Sequence, residues 1–172
     1  MSSLTVYHQS TPDIPNKVLT HLEDIAATLA EHAVRFERWQ ADSAIQPGAG
    51  DQHIIEAYRS SIDTLLAERG YAHVDVIREV DGALRNEHTC KEDQLRFFAA
   101  GRGLFSLRID DYIYAVLCEK GDLIGVPAGT RLWVDMGDEP RFVAIRLFNA
   151  PEGQAVDLTG DKIADRYPRL DD

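Results

Sequence analysis

Four side chains that could take part in chemistry lie close together between residues 88 and 96. His88 and Cys90 are two positions apart, so on a strand they point to one face, and Gln94 and Arg96 share a face for the same reason. A histidine beside a thiol is typical of nucleophilic catalysis, because the imidazole can lower the pKa of the thiol. The alternative is a hydrogen-bonded His88 next to Cys90 as a small buried apolar side chain.

Arg96 adds a positive charge to the same stretch. If this strand faces the interior, the guanidinium needs an anionic partner, since an unpaired buried charge is costly. That partner is either an anionic ligand or one of the chain's own carboxylates, and the sequence favours neither. We take His88, Cys90 and Arg96 as the candidate catalytic residues.

The composition excludes several classes of function. The 172 residues include 18 basic and 29 acidic side chains, and the net charge of −11 disfavours binding to nucleic acid or to anionic membranes. The chain has no apolar stretch long enough for a membrane span, no secretory signal, and too few cysteines for a disulfide framework. We expect one cytoplasmic domain over 1–172 that binds a small molecule, with no nucleic-acid or membrane partner.

Two helices are predicted in the first part of the chain. Residues 20–33 and 51–69 both have apolar side chains at the helical period. Thr20 and Glu23 fit a capping box at the start of the first helix, and Gly70 fits the left-handed residue that ends the second.

Short strands are predicted after the second helix. From residue 74 onward the apolar period changes to two, and turn signals separate runs of β-branched and aromatic residues. This pattern predicts a barrel or sandwich over 74–148, with the polar tail 151–172 covering one end. The expected strands are 4–8, 34–41, 74–80, 95–99, 104–109, 112–117, 132–135 and 142–148.

Two spaced motifs indicate a known fold family. The first runs His88-Thr89-Cys90, Gln94, Gly101, and the second runs Gly121, Pro127-Ala128-Gly129, Leu132. Their spacings are those of the two cupin motifs. Longer phrases resemble the bacterial acireductone dioxygenases of methionine salvage, namely 35–42, 86–89, 96–98, 117–124, 126–128, 135–137, 144–148 and 167–170. This resemblance spans nearly the whole chain and implies a mainly β fold, a cupin-type antiparallel β-barrel with two N-terminal α-helices.

The resemblance also implies a metal site, from which this chain departs. In the family, three histidines and one glutamate hold Fe(II) or Ni(II), and the metal chelates an acireductone that O2 cleaves. Of those four positions only His88 matches, because Cys90, Gln94 and Leu132 stand at the others. Leucine has no donor atom, and glutamine is a weak neutral substitute for a carboxylate. We therefore expect no cofactor, with Fe(II) or Ni(II) at His88 and Cys90 only if a metal binds.

The same resemblance suggests the substrate contacts. Besides Arg96, which in the family helps to bind the acidic enediol, the expected contacts are Gln94, Leu132, Val134 and Gln154. Gln154 stands where the family often has a pocket aromatic residue.

Three functions remain open at this point. The first, which we favour, is a repurposed enzyme that acts without a classical metal centre on a small anionic or enediol-like molecule. The second is a working acireductone dioxygenase with an unconventional Fe or Ni site that adds a carboxylate such as Glu92 or Asp93. The third is a non-catalytic ligand-binding or partner-binding homologue. Metal content and turnover distinguish them.

Overall fold

Two antiparallel β-sheets face each other in the computed structural model, which describes residues 2–172. The strands are β1 (Ser3–His8), β2 (Pro15–Leu19), β3 (Arg35–Arg38), β4 (His73–Ile77), β5 (His88–Thr89), β6 (Gln94–Ala100), β7 (Arg102–Ile109), β8 (Tyr112–Glu119), β9 (Asp122–Val126), β10 (Arg131–Asp135), β11 (Val143–Phe148) and β12 (Asp157–Leu158). The seven-stranded sheet has the order β12-β5-β10-β7-β8-β1-β2, and the five-stranded sheet has the order β3-β9-β6-β11-β4. The predicted mainly β class is confirmed, although the pairing within residues 2–172 forms two sheets rather than one closed barrel.

The helices are α1 (Leu22–Ala30), α2 (Asp51–Ala57) and α3 (Arg59–Arg69). The predicted helix over 51–69 is therefore two helices, because the backbone leaves the helical region at Tyr58 and Asp42 accepts a hydrogen bond from the amide of Ser60 at 2.9 Å. Gly70 ends α3 with φ of 68°, as predicted. Thr20 does not cap α1, which begins after His21 without a side-chain cap. None of these helices is long and apolar enough to cross a membrane.

Alternation along β6 divides the core into two layers. Leu95, Phe97 and Ala99 point outward and pack with the apolar side chains of α2 and α3. Phe98 faces the opposite way, into the core between the sheets, and Gln94 and Arg96 share its phase. The helices thus support the back of the strand whose inner face carries the candidate polar residues.

Strands β2, β9 and β12 were not predicted. All five residues of β9 are buried, so it lacks the alternation that identifies a half-buried strand. Strand β2 lies at the edge of its sheet and begins with Pro15, and proline is tolerated at the first residue of an edge strand.

Part of the C-terminal tail lies away from the barrel end that the tail was predicted to cover. Its 3-10 turn at Ile163–Arg166 packs on the outer face of the seven-stranded sheet, where Tyr167 contacts the rings of Trp133 and Tyr7. Strand β12 pairs with β5, and this pairing brings the start of the tail beside His88.

Position 101 requires a glycine, and replacing it should destabilise the protein. Its φ is 77°, and an added Cβ would overlap the carbonyl oxygen of Arg141 and the backbone of Phe142. Gly48 has the same φ of 77° but open space around it. We expect Gly48→Ala to cost about 1 kcal/mol of unfolding free energy, from the left-handed backbone alone. Gly101→Ala should cost about 1–3 kcal/mol more, from overpacking.

Urea unfolding of the two variants tests this difference. Equal losses of stability would show that the region around Gly101 relaxes and that the close contact carries no penalty.

Candidate functional site

A cavity of about 190 Å³ lies between the two sheets. Its wall consists of Ile77, Glu79, Val80, Asp81, Leu84, Cys90, Gln94, Arg96, Phe105, Val134, Met136, Arg146, Gln154 and Val156. The apolar side chains come from β4 and the segment after it, from β7, from the end of β10 and from the segment before β12. The polar side chains lie on and around β6, except for Glu79 and Asp81, which follow β4. The cavity is thus suited to a small molecule with a polar head and an apolar remainder.

The cavity brings together most of the predicted site residues. Cys90, Gln94, Arg96, Val134 and Gln154 all lie on its wall. The remaining two, at positions 88 and 132, are fully buried and stand opposite each other in the β5–β10 pair, outside this wall. The predicted substrate contact at position 132 is instead part of the apolar core.

Arg96 is the one basic residue on the wall that has no carboxylate partner within residues 2–172. Its Nη1 donates to the carbonyl of Leu95 at 3.0 Å, and its Nη2 donates to Oε1 of Gln154 at 3.0 Å. Burial, together with the neighbouring charge of Arg146, lowers the pKa of Arg96 to about 10. The guanidinium therefore stays charged at neutral pH, and its charge is offset by no ion pair.

Arg146 is a site residue that the sequence reading missed. It stands beside Arg96 in the β6–β11 pair and beside Asp75 in the β4–β11 pair. Its Nε and Nη2 donate to the two carboxylate oxygens of Asp75 at 2.9 and 2.6 Å, so its charge is compensated. Only the cross-strand register reveals this arrangement, because the three residues are far apart in the chain.

His88 has one ring nitrogen that lacks a partner. Its Nδ1 lies 2.8 Å from the carbonyl oxygen of Asn86, which fixes the proton on Nδ1. Its Nε2 is then an unprotonated acceptor, and it is buried without a hydrogen-bond partner. Burial lowers the pKa of His88, so the imidazole is neutral.

Cys90 is held as a thiol. Its sulfur accepts a hydrogen bond from Nε2 of Gln94 at 3.1 Å. Burial raises the pKa of the Cys90 thiol, and the charge of Arg96 offsets only part of this effect. Of the two interpretations left open for this pair, the raised pKa favours Cys90 as a small buried side chain over a thiol activated by His88.

The two nearby carboxylates are occupied by backbone amides. Glu92 accepts hydrogen bonds from the amides of Asn149 and Ala150 at 3.3 and 3.1 Å. Asp93 accepts one from the amide of Ala128 at 2.8 Å. Residues 2–172 contain no group of three or more His, Cys, Asp and Glu side chains placed to share a metal ion. Neither carboxylate therefore completes a site with His88.

Comparison with known proteins places this chain in a family. The family model described as the ARD/ARD' family matches residues 3–155. The chain belongs to this family. It is 62% identical over 181 aligned positions to the acireductone dioxygenase of Pseudomonas syringae pv. syringae strain B728a, and each chain is covered completely. It is 58% identical to the acireductone dioxygenase of Stutzerimonas stutzeri strain A1501, again over the full length of both chains.

A solved structure supports the fold. The acireductone dioxygenase from Bacillus anthracis, described with a cadmium ion in its active centre, has a TM-score of 0.74 and 24% sequence identity, and the match covers 91% of this chain and 97% of that one. This likeness confirms the predicted cupin-type architecture of the family.

The same comparisons correct one expectation. We expected no cofactor, but the relatives are acireductone dioxygenases and a solved family structure contains a metal ion in its active centre. The family relationship therefore points to a metal cofactor rather than none, and the expectation is wrong. In this chain, His88 Nε2 is a suitable free donor, whereas Cys90 is a hydrogen-bonded thiol and Leu132 has no donor atom. These residues do not fit a four-ligand metal site, and we derive no reaction step through a metal.

Proposed function

We propose that this protein acts on an acireductone, the substrate class for which its relatives are named. The single observation that carries the proposal is the charged Arg96 on the cavity wall without a carboxylate partner. An acireductone is an enediol conjugated to a ketone, so it ionises like a vinylogous carboxylic acid and presents an anion. The guanidinium of Arg96 is half-buried, and it and such an anion would stabilise each other through charge-assisted hydrogen bonds.

The charges around the cavity support an anionic ligand. Arg146 is compensated by Asp75, and the thiol of Cys90 is uncharged, so the inner wall keeps the charge of Arg96. Two carboxylates of the wall, Glu79 and Asp81, are exposed at its mouth and form no ion pair with Arg96. The inner part of the cavity is therefore positive.

The apolar part of the wall provides the complementary surface. Val134, Met136 and Phe105 are buried side chains that line the cavity opposite β6. A small ligand with its enediol at Arg96 can place an apolar substituent against them, and this contact would add hydrophobic affinity.

The reaction that we assign is the one in the relatives' names, cleavage of an acireductone with dioxygen, as in methionine salvage. Full-length identity of 62% to a protein of that name supports this activity over a repurposed one. Arg96 would bind the enediolate, and the apolar wall of the cavity would exclude water from the apolar side of the ligand.

The test measures binding and turnover separately. An acireductone is titrated into the protein without oxygen and followed by its ultraviolet absorbance, and oxygen consumption is then recorded with Fe(II) or Ni(II) supplied. We expect saturable binding and faster oxygen consumption than with heat-denatured protein. Absence of binding would contradict the proposal, and binding without turnover would restrict the function to ligand binding.

A further inference from the structure

Gln154 contacts the guanidinium of Arg96, the positive charge to which the ligand would bind. Its Oε1 accepts from Nη2 of Arg96 at 3.0 Å, and its Nε2 donates to the carbonyl of Asp93 at 3.1 Å. The second bond fixes which end of the amide faces Arg96, because only the NH2 group can donate to a carbonyl. Gln154 thus orients the guanidinium of Arg96 through an uncharged hydrogen-bond acceptor.

The turn that carries Gln154 is itself held firmly. It is the 3-10 turn Pro151–Gln154, and the carbonyl of Gly153 accepts from the amide of Glu92 at 3.2 Å. The carboxylate of Glu92 accepts from the amides of Asn149 and Ala150 in return. A Cβ at position 153 would overlap the Glu92 side chain, so the turn packs directly on the loop before β6. Gln154 is therefore presented to the cavity from a fixed backbone.

We propose that Gln154 is a positioning residue that orients Arg96 towards the ligand while leaving its charge uncompensated. This inference rests on the proposed function, because it assumes that an enediolate binds at Arg96. A carboxylate at position 154 would accept the same hydrogen bond but would pair with the guanidinium and remove the positive field. An apolar side chain would preserve the charge but release the guanidinium from its orientation. A neutral amide orients the guanidinium and also leaves its positive charge uncompensated.

Two variants and one control test this role. Gln154→Met removes the acceptor, Gln154→Glu keeps the acceptor and adds a negative charge, and Gln40→Met makes the same change at an exposed position. The probe is reductate, the anion of 2,3-dihydroxycyclopent-2-enone and a stable cyclic enediolate. It is compared with 2-hydroxycyclopent-2-enone, a neutral analogue because it lacks the acidic 3-hydroxyl that is conjugated to the ketone. Dissociation constants are measured by isothermal titration without oxygen, and urea unfolding checks that each variant is folded.

We expect Gln154→Met to weaken reductate binding about tenfold, the effect of one hydrogen bond to a charged group, with little change for the neutral analogue. Gln154→Glu should weaken it at least as much, although its acceptor is retained, and Gln40→Met should bind like the wild type. A side chain at position 154 that only filled space would be replaced by methionine without loss of affinity.

The outcomes distinguish this inference from the proposed function. If the wild type binds neither reductate nor an acireductone, the proposed function fails. If the wild type binds reductate but either Gln154 variant binds it equally well, the positioning role is overturned while the proposed function stands. If one variant does not fold, the other still decides, because each must lose affinity.

Discussion

Replacing Arg96 with methionine should weaken binding of an enediolate by roughly 10- to 150-fold, or about 1.5–3 kcal/mol, the range for hydrogen bonds to charged groups. Arg96 donates only to a backbone carbonyl and to the amide oxygen of Gln154, so its removal leaves no carboxylate unpaired. The variant should therefore fold normally while losing the ligand. Anaerobic titration with an acireductone measures the affinity, and urea unfolding measures the stability.

Arg141→Met is the matched control for this experiment. Its side chain is 87% exposed and lies 3.8 Å from a carboxylate oxygen of Glu139. It should change neither affinity nor stability. If Arg96→Met instead lost about 3 kcal/mol or more of unfolding free energy with ligand affinity unchanged, Arg96 would have a structural role, and the proposed role in binding would be wrong.

The triple change Cys90→His, Gln94→Glu and Leu132→His should create a strong metal site. Gln94 already reaches the sulfur of Cys90 at 3.1 Å, and position 132 stands directly opposite His88 in the β5–β10 pair. Three imidazoles and a carboxylate suit Fe(II) and Ni(II). We expect about one metal ion per chain, bound more than about 100-fold more tightly than by the wild type. Loss of a group that only hydrogen-bonds to a ligand already lowers metal affinity roughly 10–100-fold, so restoring three ligands should have a larger effect. Elemental analysis after dialysis and competition with a chelator measure both quantities.

A double variant that retains Leu132 provides the control. Cys90→His with Gln94→Glu lacks the donor from β10 and should bind metal more weakly than the triple variant. A triple variant that unfolds at the wild-type urea midpoint but binds metal no better than the wild type would show that these four positions do not converge. The alignment with the cupin motifs would then be wrong at one of them.

Local patterns in the sequence determined much of the scaffold. The change of apolar period near residue 74 predicted the strands, and Gly70 marked the end of α3. The shared phase of Gln94 and Arg96 placed both on the inner face of β6, where they line the cavity. These features depend on the backbone preferences and side-chain direction of neighbouring residues, which a sequence contains directly.

Where the local signal was weak, the prediction was incomplete. Strand β9 is buried along its whole length and shows no alternation. The break at Tyr58 between α2 and α3 has no glycine or proline to announce it, and the cap of α3 comes from Asp42 in a separate segment. In both cases the structure is decided by packing partners that lie elsewhere in the chain.

Only the tertiary structure decided the state of each candidate residue. Arg146 is compensated by Asp75 across a strand pair, whereas Arg96 meets the neutral amide of Gln154. The first contact joins residues that are 71 positions apart, and strand register sets its partner. The second joins residues that are 58 positions apart, and the path of a turn sets its partner. Charge compensation and pKa shifts depend on such distant neighbours and on burial, so residue type and spacing could nominate the site but could not determine its chemistry.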